Sequence, residues 1–263
     1  MKLDMQKKIG LMVGFIVVAT AIVMFLKQST VAHDETILTI GIAADYAPFV
    51  SINERGEYEG FDIDIAHAIA QKMGKTLVLK DVGSMAPLFI ALDQGSIDAI
   101  MWGISITKDR LEKVDFVHYQ GQVTKSFPLL FWKNIPEGVQ GFADMRSMRV
   151  CAEPASAQSA ILCKYEDIIT VISTEKVDDA FLMVQQQKVD AAFLDPAIAK
   201  KFCAKYLECK ILDIPLATED QVYGMGIPVK KGNTHMVEQI QVAINALRNE
   251  RFITQCEQKW GIA

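Results

Sequence analysis

Ser105 and Arg110 close the segment Asp98-Ala-Ile-Met-Trp-Gly-Ile-Ser-Ile-Thr-Lys-Asp-Arg110. A hydroxyl followed by a guanidinium is the donor set of a carboxylate site, because guanidinium offers a rigid fork of N–H groups to a planar anion. Ile97, Ala99, Ile100 and Met101 suit a buried strand. Thr107 has the side chain of an N-cap, which puts Arg110 in the first turn of a helix. A cation there opposes the helix macrodipole by roughly 0.3–1 kcal/mol, so the arginine is either solvated or held for another partner. Spacing alone favours the solvated reading. Three further polar positions stand out, each with a structural alternative. Asp195 before Pro196 and Ser156 ahead of a helical stretch both read as N-caps, and Glu153 reads equally as a surface carboxylate. No nucleophile elbow, phosphate loop, Cys-x-x-Cys or His pair at metal spacing is found, so no catalytic residue, cofactor or metal site is expected.

The elements that would carry these groups alternate. Residues 37–42 read as a strand and 53–56 as a turn. Asp62 reads as the cap of a helix with Ile65, Ile69 and Met73 on one face and Gly74 at its end. A strand at 76–79, a helix around 87–92 and the strand before Trp102 follow. The pattern then restarts: strand 148–152, helix 156–164, strand 168–172, helix 178–186 and strand 189–194. Residues 182–194 echo 88–101, with Val-Asp-Ala in place of Ile-Asp-Ala at the head of the strand. Such alternation predicts an α/β fold of two similar lobes with mostly parallel sheets. A last helix is expected around 237–247.

With 263 residues, 51% of them hydrophobic, the chain can bury cores for two lobes. Residues 9–26 form an uncharged apolar run after Lys7 and Lys8, so 1–32 read as a signal peptide or an N-terminal membrane anchor. At about 1.5 Å per residue the run nearly spans a ~30 Å hydrocarbon layer, while Thr30-Val-Ala32 offers a small-residue cleavage site. The first 32 residues hold four Lys and one Asp, so the net charge of −5 becomes −8 for the rest, which disfavours a nucleic-acid partner. All five cysteines, Cys151, Cys163, Cys203, Cys209 and Cys256, lie in the second half. Export makes disulfides possible, Cys203 with Cys209 being the preferred pair, while Cys151 reads equally as a buried free thiol.

Several segments together resemble the solute-binding proteins of bacterial amino-acid ABC transporters, the polar-amino-acid family with the type II periplasmic-binding fold. They are Tyr46-Ala-Pro-Phe49, Gly60-Phe-Asp-Ile-Asp-Ile65, Gly95-Ser-Ile-Asp-Ala99, Ser105-Ile-Thr-Lys-Asp-Arg110, Val189-Asp-Ala-Ala-Phe-Leu-Asp195, Ala246-Leu-Arg248 and Lys259-Trp260-Gly261. The resemblance implies one lobe from 36–121 and 222–263, a second from 122–221, and two hinge segments near 119–125 and 219–224. It implies a monomer in the periplasm that captures a free amino acid between its lobes and delivers it to an ABC permease of the inner membrane. Arg110 is then the partner of the ligand carboxylate, Ser105 a head-group contact, Asp195 the partner of the ammonium and Tyr46 a stacking ring. Asp62 and Asp64 are assigned to capping.

The expected ligand-binding set is Tyr46, Met85, Trp102, Gly103, Ser105, Arg110, Glu153, Ser156, Ala157, Gln158 and Asp195. Relatives that bind basic amino acids often carry an acid where Ala43 stands, an aromatic where Met85 stands and a small polar residue where Trp102 stands. Trp102 either replaces the aromatic platform, by stacking or a cation–π contact, or turns into the core. Glu153 could read a cation from the second lobe. A cationic or polar amino acid is the expected ligand. The competing readings are a dehydratase on the same fold, with Glu153 as general acid, and a membrane-tethered sensor.

Overall fold

In a computed structural model, which describes residues 34–44, 46–174 and 176–262, the alternating pattern forms two five-stranded sheets. The expected signal or anchor segment, 1–32, lies outside the described residues. The first lobe runs through β1 (Ile37–Ile42), the hairpin strands β2 (Ser51–Ile52) and β3 (Tyr58–Glu59), α1 (Phe61–Met73), β4 (Thr76–Asp81), α2 (Met85–Asp93), β5 (Ala99–Ile100), α3 (Lys108–Lys113) and β6 (Val114–Thr124). The second contains β7 (Ser126–Trp132), β8 (Arg149–Ala152), α4 (Ala157–Leu162), β9 (Thr170–Ser173), α5 (Val177–Gln185), β10 (Ala191–Phe193), α6 (Pro196–Lys205) and β11 (Cys209–Pro215). The chain then returns to the first sheet in β12 (Val222–Lys230), followed by α7 (Thr234–Asn249) and α8 (Phe252–Trp260).

The sheets have the same plan. Their strand orders are β4-β1-β5-β12-β6 and β9-β8-β10-β7-β11. β4 and β9 are at the edges, β1 and β8 beside them, and β5 and β10 in the middle. Next to that middle strand lies one delivered by a crossing from the other lobe, β12 and β7 respectively. β12 is antiparallel to β5 and β6, and β7 to β10 and β11, so four strands of each sheet point the same way. The sequence echo marks α2–β5 and α5–β10, which occupy matching places.

Burial follows from strand geometry. Along β7, Phe127, Leu129 and Phe131 pack into one apolar cluster with Phe142 and Phe193, while Leu130 packs into the other with Cys151 and Ala192, as alternation of faces requires. In the first lobe, Leu38 and Ile40 of β1 pack with Ile65 and Ile69 of α1 and Ile240 and Ile244 of α7.

Four expectations change. The helix over 237–247 exists within α7 but is not the last, because Arg251 in a left-handed conformation (φ 59°) breaks the chain and α8 follows. Asp62 does not cap α1. Gly60 holds the N-cap position, and Asp62, in the first turn, is completely buried. Asp64 is an anchor for α8: its Oδ2 accepts from Lys259 Nζ and from Trp260 Nε1, both at 2.7 Å. The expected Cys203–Cys209 disulfide is not formed. All five cysteines are free thiols, although those of Cys203 and Cys209 are hydrogen-bonded neighbours joining α6 to β11. Cys151 is a buried thiol whose pKa burial pushes up to about 12, so it serves as a small core residue.

Candidate functional site

The loops that follow β1, β4 and β5 in the first sheet and β8, β9 and β10 in the second line one cleft between the lobes. Open α/β sheets bind ligands outside the carboxyl ends of their strands, and here two sheets bring those ends together. After β1 comes Tyr46, after β4 Met85, and after β5 Trp102, Gly103, Ser105 and Arg110. Across from them stand Glu153, Ser156, Ala157 and Gln158 after β8, Thr174 and Val177 after β9, and Asp195 and Ile198 after β10. All eleven expected residues are thus brought to one place.

Arg110 is positioned from both sides. Thr107 caps α3, its hydroxyl accepting from the Arg110 backbone N–H at 3.3 Å, and Ser105 bridges to Met225 of β12. The guanidinium donates to the Ser105 carbonyl at 2.8 Å, to the Met85 sulfur at 3.1 Å and across the cleft to the Ala155 carbonyl at 2.9 Å. Ala155 itself has φ of 61°, an uncommon conformation for a residue with a Cβ. The Phe89 ring lies 5.6 Å from the guanidinium carbon. Burial lowers the arginine's pKa to about 10, opposed by Tyr46 and Glu153, so it stays charged at neutral pH. Arg110 is therefore not a solvated surface cation.

A buried network fixes the wall next to it. Asp62 accepts from the Gly103 N–H at 2.6 Å and from the Tyr119 hydroxyl at 2.6 Å, and burial raises its pKa to about 7 against the effect of those two bonds. Gly103 has φ of 58°, and a Cβ there would stand 2.9 Å from Tyr46 Cε1. The glycine lets Tyr46 close on the loop. The Tyr46 ring lies 5.0 Å from that of Trp102, tilted by 47°. Trp102 is only 2% exposed, packs in the core and also lines the cleft.

In the second lobe, Asp195 is the N-cap of α6, accepting from the Ala197 N–H at 2.9 Å, and also lines the cleft. Burial raises its pKa to about 6, opposed by bonds from the Ala197 and Ile198 N–H groups. Ser156 caps α4 by accepting from the Ser159 N–H at 2.9 Å and is 7% exposed at the cleft wall. Glu153 is half-buried and lines the cleft, and its charge acts on both Tyr46 and Arg110. Among the described residues, no three His, Cys, Asp or Glu side chains gather as metal ligands.

Thr174, Val177 and Ile198 also line the cleft, and the reading of the sequence missed them. A signal was available. Met85 opens the helix after the second strand of the first sheet, and Val177 opens the corresponding helix in the second.

Comparison with known proteins agrees with this architecture. The sequence model of bacterial extracellular solute-binding proteins, family 3, matches residues 38–263. The probable ABC transporter arginine-binding protein ArtJ of Chlamydia trachomatis serovar D is 29% identical over 237 residues, covering 90% of both chains. The ABC transporter glutamine-binding protein GlnH of Bacillus subtilis is 28% identical over 246 residues, covering 89% of this chain and 85% of GlnH. Among solved structures, an ancestral arginine-binding protein bound to arginine superposes with a TM-score of 0.75 at 26% identity, over 87% of this chain and 99% of its own. The arginine-bound form of truncated ArgBP from T. maritima gives 0.71 at 28%, over 81% and 96%.

Proposed function

The chain belongs to the bacterial extracellular solute-binding proteins of family 3, and from that premise we propose that it is a non-catalytic receptor for one free amino acid, which it closes upon and delivers to an ABC permease. The observation that carries this reading is the placing of a cation and an anion on opposite lobes of one cleft. Arg110 comes from the first lobe and Asp195 from the second. A zwitterionic head group satisfies both at once: its carboxylate takes the guanidinium fork and its ammonium takes the Asp195 carboxylate. Such a ligand interacts with both lobes only when they are together, which biases the hinge toward closure. The proposed lobes are 36–121 with 222–263 and 122–221, the end of β6 at 122–124 belonging to the crossing, where it still pairs with the start of β12. Ser105, Ser156 and Gln158 complete the head-group and side-chain contacts. Similarity to proteins named for arginine and glutamine supports a cationic or polar ligand. The protein works in the periplasm as a monomer, either released or held by the run at 9–26.

A thermal-shift panel of amino acids tests this. A ligand at a hundredfold excess over its Kd adds about 2.7 kcal/mol, which for a protein of this size raises Tm by roughly 5–10 °C. Arg110→Ala is expected to abolish that response while leaving a cooperative transition. No response to any amino acid, or an unchanged response in Arg110→Ala, refutes the reading.

A further inference from the structure

Two buried polar atoms on residues of the cleft wall have no hydrogen-bond partner within the protein: the indole Nε1 of Trp102 and the Oγ1 of Thr174. Trp102 is 2% exposed and Thr174 is 4% exposed. They belong to opposite lobes, one following β5 and the other following β9. Among the described residues, one further buried side-chain polar atom shares this state, Gln239 Oε1, and it is on α7. Buried polar groups in folded proteins are nearly always paired, so two orphans on facing walls of one cleft point to a ligand that pairs them.

Their chemistry restricts that ligand. An indole N–H only donates, whereas a threonine hydroxyl donates or accepts. Guanidinium and ammonium groups also only donate, so a cationic side chain leaves Trp102 unsatisfied. A side-chain carboxylate would accept from Trp102, but Glu153 and Asp195 already place two acids in the same cleft against Arg110. A carboxamide avoids both problems, being neutral with one acceptor oxygen and two N–H donors.

Resting on the reading of the cleft as an amino-acid site, we propose that the bound side chain ends in a carboxamide, as in glutamine. Its oxygen accepts from Trp102 and its amide N–H donates to Thr174. Trp102 then serves as a hydrogen-bond donor held in place by Tyr46, not as a platform for a cation.

Calorimetric titration of full-length protein, stripped of ligand by unfolding and refolding, tests this with glutamine, glutamate, arginine, lysine and norleucine. Glutamine is expected to bind tightest. Trp102→Phe, which keeps an aromatic ring and deletes the N–H, should weaken glutamine by roughly tenfold to a hundredfold and weaken norleucine distinctly less, the difference between the two reporting the lost N–H. Thr174→Val should weaken glutamine similarly and Thr174→Ser should restore it, which keeps the test open if either the tryptophan or the valine variant folds poorly. Arginine or lysine binding tightest, with Trp102→Phe neutral toward glutamine, overturns the carboxamide assignment and leaves the amino-acid reading standing. Failure to bind any amino acid overturns both.

Discussion

Asp195 works under opposing demands: it caps α6 through the Ala197 N–H, and its burial favours the protonated form, with a pKa raised to about 6. If Asp195 pairs with a ligand ammonium, as proposed, binding needs the ionised form. Affinity is therefore expected to be flat above pH 7 and to weaken by about tenfold per pH unit below pH 6, the equivalent of about 1.4 kcal/mol per unit. Stability of the ligand-free protein has the opposite sign, because a carboxyl whose folded pKa is raised holds its proton better when folded. Its contribution falls as pH rises from about 4 toward 6. Titrations at pH 7.5 and 5 on wild type and Asp195→Asn check the binding half, and equal pH slopes in the two would remove Asp195 from the ammonium site. At this scale the placement of residues at the cleft was legible where residue type and family spacing coincide, as at Arg110, Ser105 and Asp195. It was misleading where one residue does two jobs. Asp195 is both cap and cleft acid, and Trp102 is both core and wall, so alternatives set against each other turn out to coexist. Thr174 was invisible because a lone threonine after a strand carries no motif; only its equivalence to the Met85 side of the first lobe could have found it.

The alternation of helix and strand was legible because each β segment is a short apolar run and each helix has its own buried stripe. What failed was Asp62, for a local reason. A carboxylate in the first turn looks like a capping residue, and only the tertiary fold brings Gly103 and Tyr119 over it. Those two bonds tie α1, the loop after β5 and strand β6 into one unit beneath the cleft. Asp62→Ala leaves a buried N–H and a buried hydroxyl without their acceptor, each costing about 1–3 kcal/mol. Chemical denaturation should therefore show a fall in stability together with weaker ligand binding. Asp62→Asn keeps an acceptor for Gly103 and can donate to the Tyr119 oxygen, so it should retain most of the stability. The pH sign separates the two effects. With the folded pKa of Asp62 raised to about 7 by burial, wild type loses stability relative to Asp62→Asn as pH rises from about 4 to 7. A constant difference across that range would mean that Asp62 is not buried in the ionising state described. α8 escaped notice for another reason: in Phe252–Trp260 only Ile253 and Cys256 are buried, too few to mark a helical stripe. It is held instead by the polar contacts of Lys259 and Trp260 with Asp64.

At the scale of the whole molecule, two sheets of the same order face each other, and two crossings join them, between β6 and β7 and between β11 and β12. The lobes touch through Arg110, which donates to the Ala155 carbonyl, and through Lys201 Nζ, 3.5 Å from the Ala47 carbonyl. Buried apolar residues of both lobes, Met85 and Trp102 with Val177, Leu194 and Ile198 among them, also belong to one cluster, so on the proposed function opening must part apolar as well as polar contacts, and its ease depends on how freely the crossings bend. Gly224 sits where they meet. Beside it the β6–β12 register shifts between Tyr223 and Gly226, its φ is 77°, and a Cβ would lie 2.7 Å from both the Gln120 carbonyl oxygen and His118 Nε2. Gln120 cannot yield without moving the β6 backbone. Gly224→Ala is therefore expected to cost about 1 kcal/mol or more in stability, from the strained φ and the contact together. It should also weaken ligand binding, although no residue of the cleft wall is altered. Small-angle X-ray scattering gives the decisive measurement. Wild type should become more compact when saturated with its amino acid, and Gly224→Ala should compact less at equal occupancy. If the variant matches wild type in both stability and compaction, the bend lies elsewhere along the crossings, and the close approach of Gly224 to β6 is only a feature of packing.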